Sequence, residues 1–206
     1  MKKSLILILI AVIVFTACGN TEHDAGDVSQ SIPHVEPVPE LEPEPEIPEY
    51  IIIRDKQYST ELTELSIIND LTNAEILPLE YMVNLESLNL FDNNITDILP
   101  LSNLKNLTIL VLTDNHIDDL SPLSGLTNLT ELIAVNNQVA DLSPLSRLIN
   151  LQFLALHGNP INDITPLHGL KKLTRLSIDE DAVSQEQLTA FQAAVPGCEV
   201  ILRSRD

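Results

Sequence analysis

The sequence predicts an α/β solenoid, with short parallel strands stacked into one curved sheet on a concave face and helical or 3₁₀ turns on the convex face. Three observations predict it. Apolar residues return every 22 positions across residues 85–172. Each unit opens with leucines spaced as a strand requires, followed by an Asn. Each unit then carries an X-Pro-Leu step where the chain should turn back. A fixed period of this length marks a repeat architecture, in which one unit buries its apolar face only against the next. The chain has 206 residues, 44% apolar and 3% aromatic, so that buried face is aliphatic.

The start of the chain stands apart from the repeats. Met1-Lys2-Lys3 is basic, and residues 5–15 contain no polar side chain. That run is shorter than the roughly 20 residues that cross a bilayer and fits the core of a secretory signal, here 1–17. It ends in Phe15-Thr16-Ala17-Cys18-Gly19-Asn20, which resembles the lipobox of bacterial lipoproteins, with Phe15 where Leu is usual. The resemblance implies lipidation of Cys18 and anchoring at the extracellular face of a bacterial membrane. An ordinary signal with Cys18 incidental, or an uncleaved anchor, are the alternatives. Residues 18–49 form an acidic linker. From Asn20 to Glu49 there are nine Asp or Glu, six Pro and no Lys or Arg. Proline removes backbone donors and like charges repel, so neither helix nor sheet is expected. The linker reads as a stalk or as a simple spacer.

Residues 50–61 read as two short strands about a turn, an N-terminal cap. Residues 62–178 carry the repeats. The first unit, 62–84, is one residue longer than the rest, with the insertion expected near Asp70-Leu71. The regular units place Leu85, Leu107, Leu129, Leu151 and Leu173 in one column, and Leu88, Leu110, Leu132, Leu154 and Leu176 in the next. Leu90, Leu112, Ala134, Leu156 and Ile178 follow, then Asn93, Asn115, Asn137, Asn159 and finally Asp181. Ile98, Leu120, Leu142 and Ile164 precede Pro100, Pro122, Pro144 and Pro166.

Each column has a reason. Alternate residues of a strand share a face, so Leu88 and Leu90 both point inward. An Asn at the strand exit satisfies backbone groups that the turn would bury. Ser121-Pro122, Ser143-Pro144 and Thr165-Pro166 read as a cap residue followed by Pro at the first helical position. The Leu-x-x-Leu-x-Leu-x-x-Asn-x-Ile-x-x-Ile-x-Pro-Leu pattern resembles the leucine-rich-repeat family, and within it the internalin-type 22-residue repeat. The resemblance implies a leucine-rich-repeat solenoid that binds proteins, and in some members carbohydrates, on its concave sheet. Residues 179–206 read as a C-terminal cap. Ser184 with Gln187 forms a capping-box pattern, Leu188, Phe191 and Val195 share a helical face, and residues 198–202 suit a last strand. Cys198 reads as a small apolar residue near that cap.

The leucines that reveal the repeat are buried, so a site must use the residues between them. Reading across units, one column is Ser87, Ile109, Glu131, Phe153, Arg175. The second is Asn89, Val111, Ile133, Ala155, Ser177, and the third is Phe91, Thr113, Val135, His157, Asp179. Phe91, Ile109, Val111, Ile133, Val135 and Phe153 are expected to form an exposed apolar patch, with Glu131, His157 and Arg175 beside it. Such a patch marks a contact surface, although β-branched residues also favour strands for their own sake.

The formal net charge of −19 argues against nucleic acid and against a basic lipid-binding patch. The five His show no metal-ligand spacing, and Asp114-Asn115-His116-Ile117-Asp118-Asp119 lacks the Gly and closing Glu of an EF-hand loop. No cofactor or metal is expected, no catalytic constellation is evident, and a monomer is expected. The function expected is protein binding, as adhesin, receptor or envelope scaffold. A carbohydrate or wall-polymer binding module is the alternative.

Overall fold

The computed structural model describes residues 47–204. The signal-like segment 1–17, Cys18 and most of the acidic linker lie outside the described residues. Two strands open the fold, β1 (Tyr50–Ile53) and β2 (Lys56–Ser59), paired antiparallel. Arg54 and Asp55 between them have φ of 47° and 61°. Positive φ at both central residues is what a two-residue hairpin needs to match strand twist. Alternation along β1 buries Ile51 and Ile53 and leaves Tyr50 and Ile52 exposed. The hairpin therefore covers the core with one face, and β1 packs on the 3₁₀ turn Leu77–Tyr81.

The main sheet has seven parallel strands in chain order. They are β3 (Glu64–Ser66), β4 (Ser87–Asn89), β5 (Ile109–Val111), β6 (Glu131–Ile133), β7 (Phe153–Ala155), β8 (Arg175–Asp179) and β9 (Glu199–Arg203). The register puts Leu65, Leu88, Leu110, Leu132, Leu154, Leu176 and Val200 in one row. All the leucines of that row are buried. Opposite the sheet lie α1 (Asn73–Ile76), continuing into the 3₁₀ turn Leu77–Tyr81, and the 3₁₀ turns Leu99–Leu101, Ser121–Leu123, Ser143–Arg147 and Thr165–Gly169. Pro occupies one of the first two positions of each 3₁₀ turn, where its missing N–H costs nothing. This is the solenoid expected from the 22-residue period.

The caps of those turns differ from the expectation. Ser121, Ser143 and Thr165 are the first residues inside the turns, not cap residues. Their N–H groups donate to Asp119, Asp141 and Asp163 at 2.7, 2.8 and 2.8 Å, and Leu99 N–H donates to Asp97 at 2.8 Å. A carboxylate two residues back reaches the orphan donors that begin a helical turn.

The Asn column does what its position implies. Asn93, Asn115, Asn137 and Asn159 are buried. The Nδ2 of Asn115 donates to Leu90 and Leu112 carbonyls at 2.8 and 3.0 Å, and its Oδ1 accepts from Ile95 N–H at 3.1 Å. Each amide thus ties its own turn to the preceding one. Asp181 does not continue the column. It is exposed, and the chain instead prolongs β8, with Glu180 N–H donating to Arg203 O at 2.8 Å.

The slipped first unit is visible in the register. Leu65 faces Leu88, 23 residues on, while Thr72 bridges Asn94, 22 residues on. The extra residue falls at Asn69-Asp70, both at positive φ (80° and 63°), and both N–H groups donate to Asp92 O. Later units place one left-handed residue in this turn: Asp92, Asp114, Asn136 and Gly158. Gly158 is fixed twice over. Its φ is 75°, and a Cβ there would run into Asn136 Oδ1. Leu62, read from sequence as the start of the first repeat, is exposed because no unit covers it.

The end of the fold is α2 (Gln185–Ala194) followed by β9. Ser184 caps the helix, with the reciprocal bonds to Gln187 in place. Leu188, Phe191 and Val195 are buried, closing the core as their spacing predicts. Cys198 packs partly against that core as a free thiol, and burial pushes the thiol up to about 11, out of the reactive range.

Candidate binding face

The sheet has one face on the core and one facing out. Because every strand is parallel and in register, the outward residues form rows across it. The first row runs Glu64, Ser87, Ile109, Glu131, Phe153, Arg175, Glu199. The second runs Ser66, Asn89, Val111, Ile133, Ala155, Ser177, Ile201. Adjacent strands lie about 4.8 Å apart, so neighbours in a row touch. Ile109 and Val111 on β5, Ile133 on β6 and Phe153 on β7 are brought together, each half-buried. Glu131 stands between Ile109 and Phe153 and interrupts the apolar row.

Burial corrects part of the expected patch. Val135 is buried, 8% exposed. It lies just past β6, where the chain turns, and its carbonyl accepts from Asp114 N–H and Asn137 Nδ2. It offers little surface to a ligand. Ala155 and Ser177, in the outward second row, are each 3% exposed because their small side chains sit below larger neighbours. Phe91 is exposed at 39%, at the margin.

The C-terminal side of the face is polar and partly tied up. The Arg175 guanidinium lies 5.6 Å from the Phe153 ring centre and 3.8 Å from a Glu199 carboxylate oxygen. This cation–π contact orders the ring without hiding it. His157 Nδ1 meets Ser177 Oγ at 3.1 Å, and Asp179, itself buried, accepts from Gly158 N–H with both carboxylate oxygens at 3.0 Å. Ser177, at 3% exposure, is not placed to attack a substrate. The arrangement is a half-apolar strip across the three strands β5, β6 and β7, edged by Arg175 and His157 on one side and by Ser87 and Asn89 on the other.

A parallel sheet braced by an Asn ladder, with 3₁₀ turns behind it, defines a leucine-rich-repeat solenoid. Residues 83–125, 105–147 and 127–167 each match the family Leucine Rich repeats (2 copies). The chain belongs to the leucine-rich-repeat family. It is similar to internalin C2 of Listeria monocytogenes, at 33% identity and TM-score 0.54, over 71% of this chain and 74% of that one. It is also similar to the internalin inlF of Listeria monocytogenes, at 28% identity and TM-score 0.52, over 74% of this chain. The chain spans 53% of that internalin's length. A leucine-rich-repeat protein of Leptospira interrogans shares the fold at 26% identity and TM-score 0.60, over 68% of this chain and 37% of that one. No curated protein matches.

Proposed function

We propose that this chain is a lipid-anchored extracellular protein whose outward sheet face captures a protein partner, as an adhesin, receptor or envelope scaffold. The observation that carries the binding reading is the half-buried strip of Ile109, Val111, Ile133 and Phe153, with Glu131 among them, on a face that no other part of the described fold covers. Apolar side chains in the centre with a charged and polar margin match the anatomy of a protein contact. The arginine beside Phe153 adds a residue type common at such contacts. The anchoring part rests on sequence: a basic start, an apolar run and Cys18 behind small residues, then a Pro-rich acidic spacer. Similarity to internalins favours a bacterial surface role.

The test compares capture of envelope proteins by the wild type and by Val111→Asp and Phe153→Asp. Both variants must keep the wild-type circular dichroism spectrum. Loss of the same captured band in both supports the reading, and an unchanged band in folded variants defeats it. A glycan array run in parallel would expose a carbohydrate ligand instead. For the anchor, labelled lipid should be incorporated into the wild type and not into Cys18→Ala.

A further inference from the structure

We propose that β9 is the contact edge of a two-fold dimer, in which the β9 strands of two copies pair antiparallel about Ile201 and join their sheets into one. Among the described residues, one edge of the β9 backbone is paired and the other is open. One edge of the strand is paired with β8, where Glu199 N–H donates to Thr174 O at 2.8 Å and Arg203 O accepts from Glu180 N–H at 2.8 Å. In a strand, the N–H and C=O of one residue point to the same side, and that side alternates along the chain. Val200 and Leu202 therefore direct their N–H and C=O at the other edge, where no strand pairs among the described residues.

An open edge is a template for another strand unless it is blunted by charge, proline or a bulge. The middle of β9 is Val200-Ile201-Leu202 and carries none of these. Leu202 continues the core-facing row after Ile178, yet it is 44% exposed. Among the described residues no further layer covers this apolar row. The opposite edge is different. There β3 has three residues, Glu64-Leu65-Ser66, and its leucine is already buried.

Charge identifies the occupant as a second copy. The strand reads Glu199-Val200-Ile201-Leu202-Arg203, with opposite charges at equal distances from Ile201. Antiparallel pairing about Ile201 sets Glu199 of each copy against Arg203 of the other. Val200 of each copy then opposes Leu202 of the other. This register also satisfies the hydrogen-bond pattern. Val200 and Leu202, whose polar groups face the open edge, fall in the bonded pairs. The Glu199–Arg203 and Ile201–Ile201 pairs fall in the non-bonded positions, where side chains approach most closely. Opposite charges across such a pair stabilise it and like charges disrupt it. The contact is self-complementary and closes as a dimer, whereas pairing β9 with β3 of another copy would propagate into fibres. Such a dimer replaces the monomer expected from sequence and does not depend on the ligand of the sheet face.

The test uses the full 206-residue chain in detergent micelles, in a Cys198→Ala background. Under mild oxidation Ile201→Cys should form a disulfide-linked dimer well above the level of that background. Ser66→Cys, on the β3 edge, should not. Arg203→Glu, added to Ile201→Cys, should lower the cross-linked dimer about tenfold, because two cross-strand attractions become repulsions. Adding Glu199→Arg as well should restore the dimer. Both charged residues are exposed, so the fold should survive, and circular dichroism checks that it does. The proposal is overturned if Ile201→Cys cross-links no better than Ser66→Cys. It is equally overturned if the paired charge exchange fails to restore what the single reversal removed.

Discussion

The Nε of Arg54 lies 2.6 Å from Glu75 Oε1 and ties the N-terminal hairpin to the first repeat. The same guanidinium donates to Asn69 O at 2.7 Å and to Asp70 O, the two left-handed residues that absorb the extra position. Arg54 is itself at positive φ, an uncommon conformation for a non-glycine residue, and its side-chain contacts hold it there. Glu75 in turn accepts from Thr72 N–H at 2.8 Å, closing the cap of α1.

Glu75 should therefore make the fold acid-sensitive. Its hydrogen bond with Arg54, helped by the Thr72 N–H, holds its carboxyl at about 2, below the ordinary 4.5. A depressed folded value means the stabilisation is complete above the unfolded value and is lost as pH falls from about 4.5 toward 2. The thermal midpoint of the wild type should drop through that window. Glu75→Gln should start lower at neutral pH and fall less steeply. Equal slopes in the two proteins would show that the clamp carries no linkage.

Asn115→Leu tests the ladder. The substitution keeps similar bulk and removes an amide that serves Leu90 O, Leu112 O and Ile95 N–H. Leu90 O and Leu112 O keep bonds from Asn93 and Asn137 Nδ2, so Ile95 N–H is the group left unpaired, and a loss of about 1–3 kcal/mol is expected. Because each unit is stabilised by its neighbours, the damage should spread to adjacent units and lower the urea midpoint of the whole array. A loss under about 0.5 kcal/mol, the size of a neutral surface change, would contradict the ladder.

The leucine and asparagine columns are legible in the sequence because each unit must bury the same side chains and satisfy the same turn. The carboxylates Asp97, Asp119, Asp141 and Asp163 keep the same 22-residue spacing, yet their role is not evident from the apolar pattern. A period sought in buried residues does not register an exposed acid, although its repetition is the available signal. The Arg54 clamp has no such signal, since it joins positions 15 to 21 residues apart that occur once. Exposure on the sheet face is half legible. Alternation shows that Val111, Ala155 and Ser177 point outward, but how much surface each keeps depends on the size of its lateral neighbours. The β9 strand is legible as a strand, whereas its 24-residue offset from β8 is not, because a full helix replaces the usual turn.

The repeated acids give a second pH effect, separable from Glu75. Hydrogen bonds from Ser143 and Thr165, first from the side chain and then from the backbone N–H, hold Asp141 and Asp163 below the usual 3.8. Their contribution is present above the unfolded value and disappears as pH falls through the lowered folded values. Asp141→Asn keeps an oxygen acceptor for Ser143 N–H but cannot titrate. It should retain most of the neutral-pH stability and show a smaller loss in acid, measured as the urea midpoint between about pH 6 and pH 2. Asp141→Ala should lose stability at all pH values, because no acceptor remains. If the two variants behave alike, the carboxylate is not acting as the cap.

Val111 and Val135 separate folding from binding on the same face. Both are valines on or just past neighbouring strands, yet Val111 is half-buried and open to the front while Val135 is buried at the turn. Truncating a buried valine removes about 0.8 kcal/mol per methyl(ene) lost and leaves a small cavity besides. Val135→Ala should therefore cost about 1–2 kcal/mol in the urea midpoint and leave partner capture nearly intact in the folded fraction. Val111→Ala should cost less stability and weaken capture more. The contrast is sharper than either result alone, because a general loss of fold would lower both readouts in both variants. If Val135→Ala impairs capture as much as Val111→Ala at matched folded fraction, the contact surface reaches over the turn and is wider than the strip of Ile109, Val111, Ile133 and Phe153.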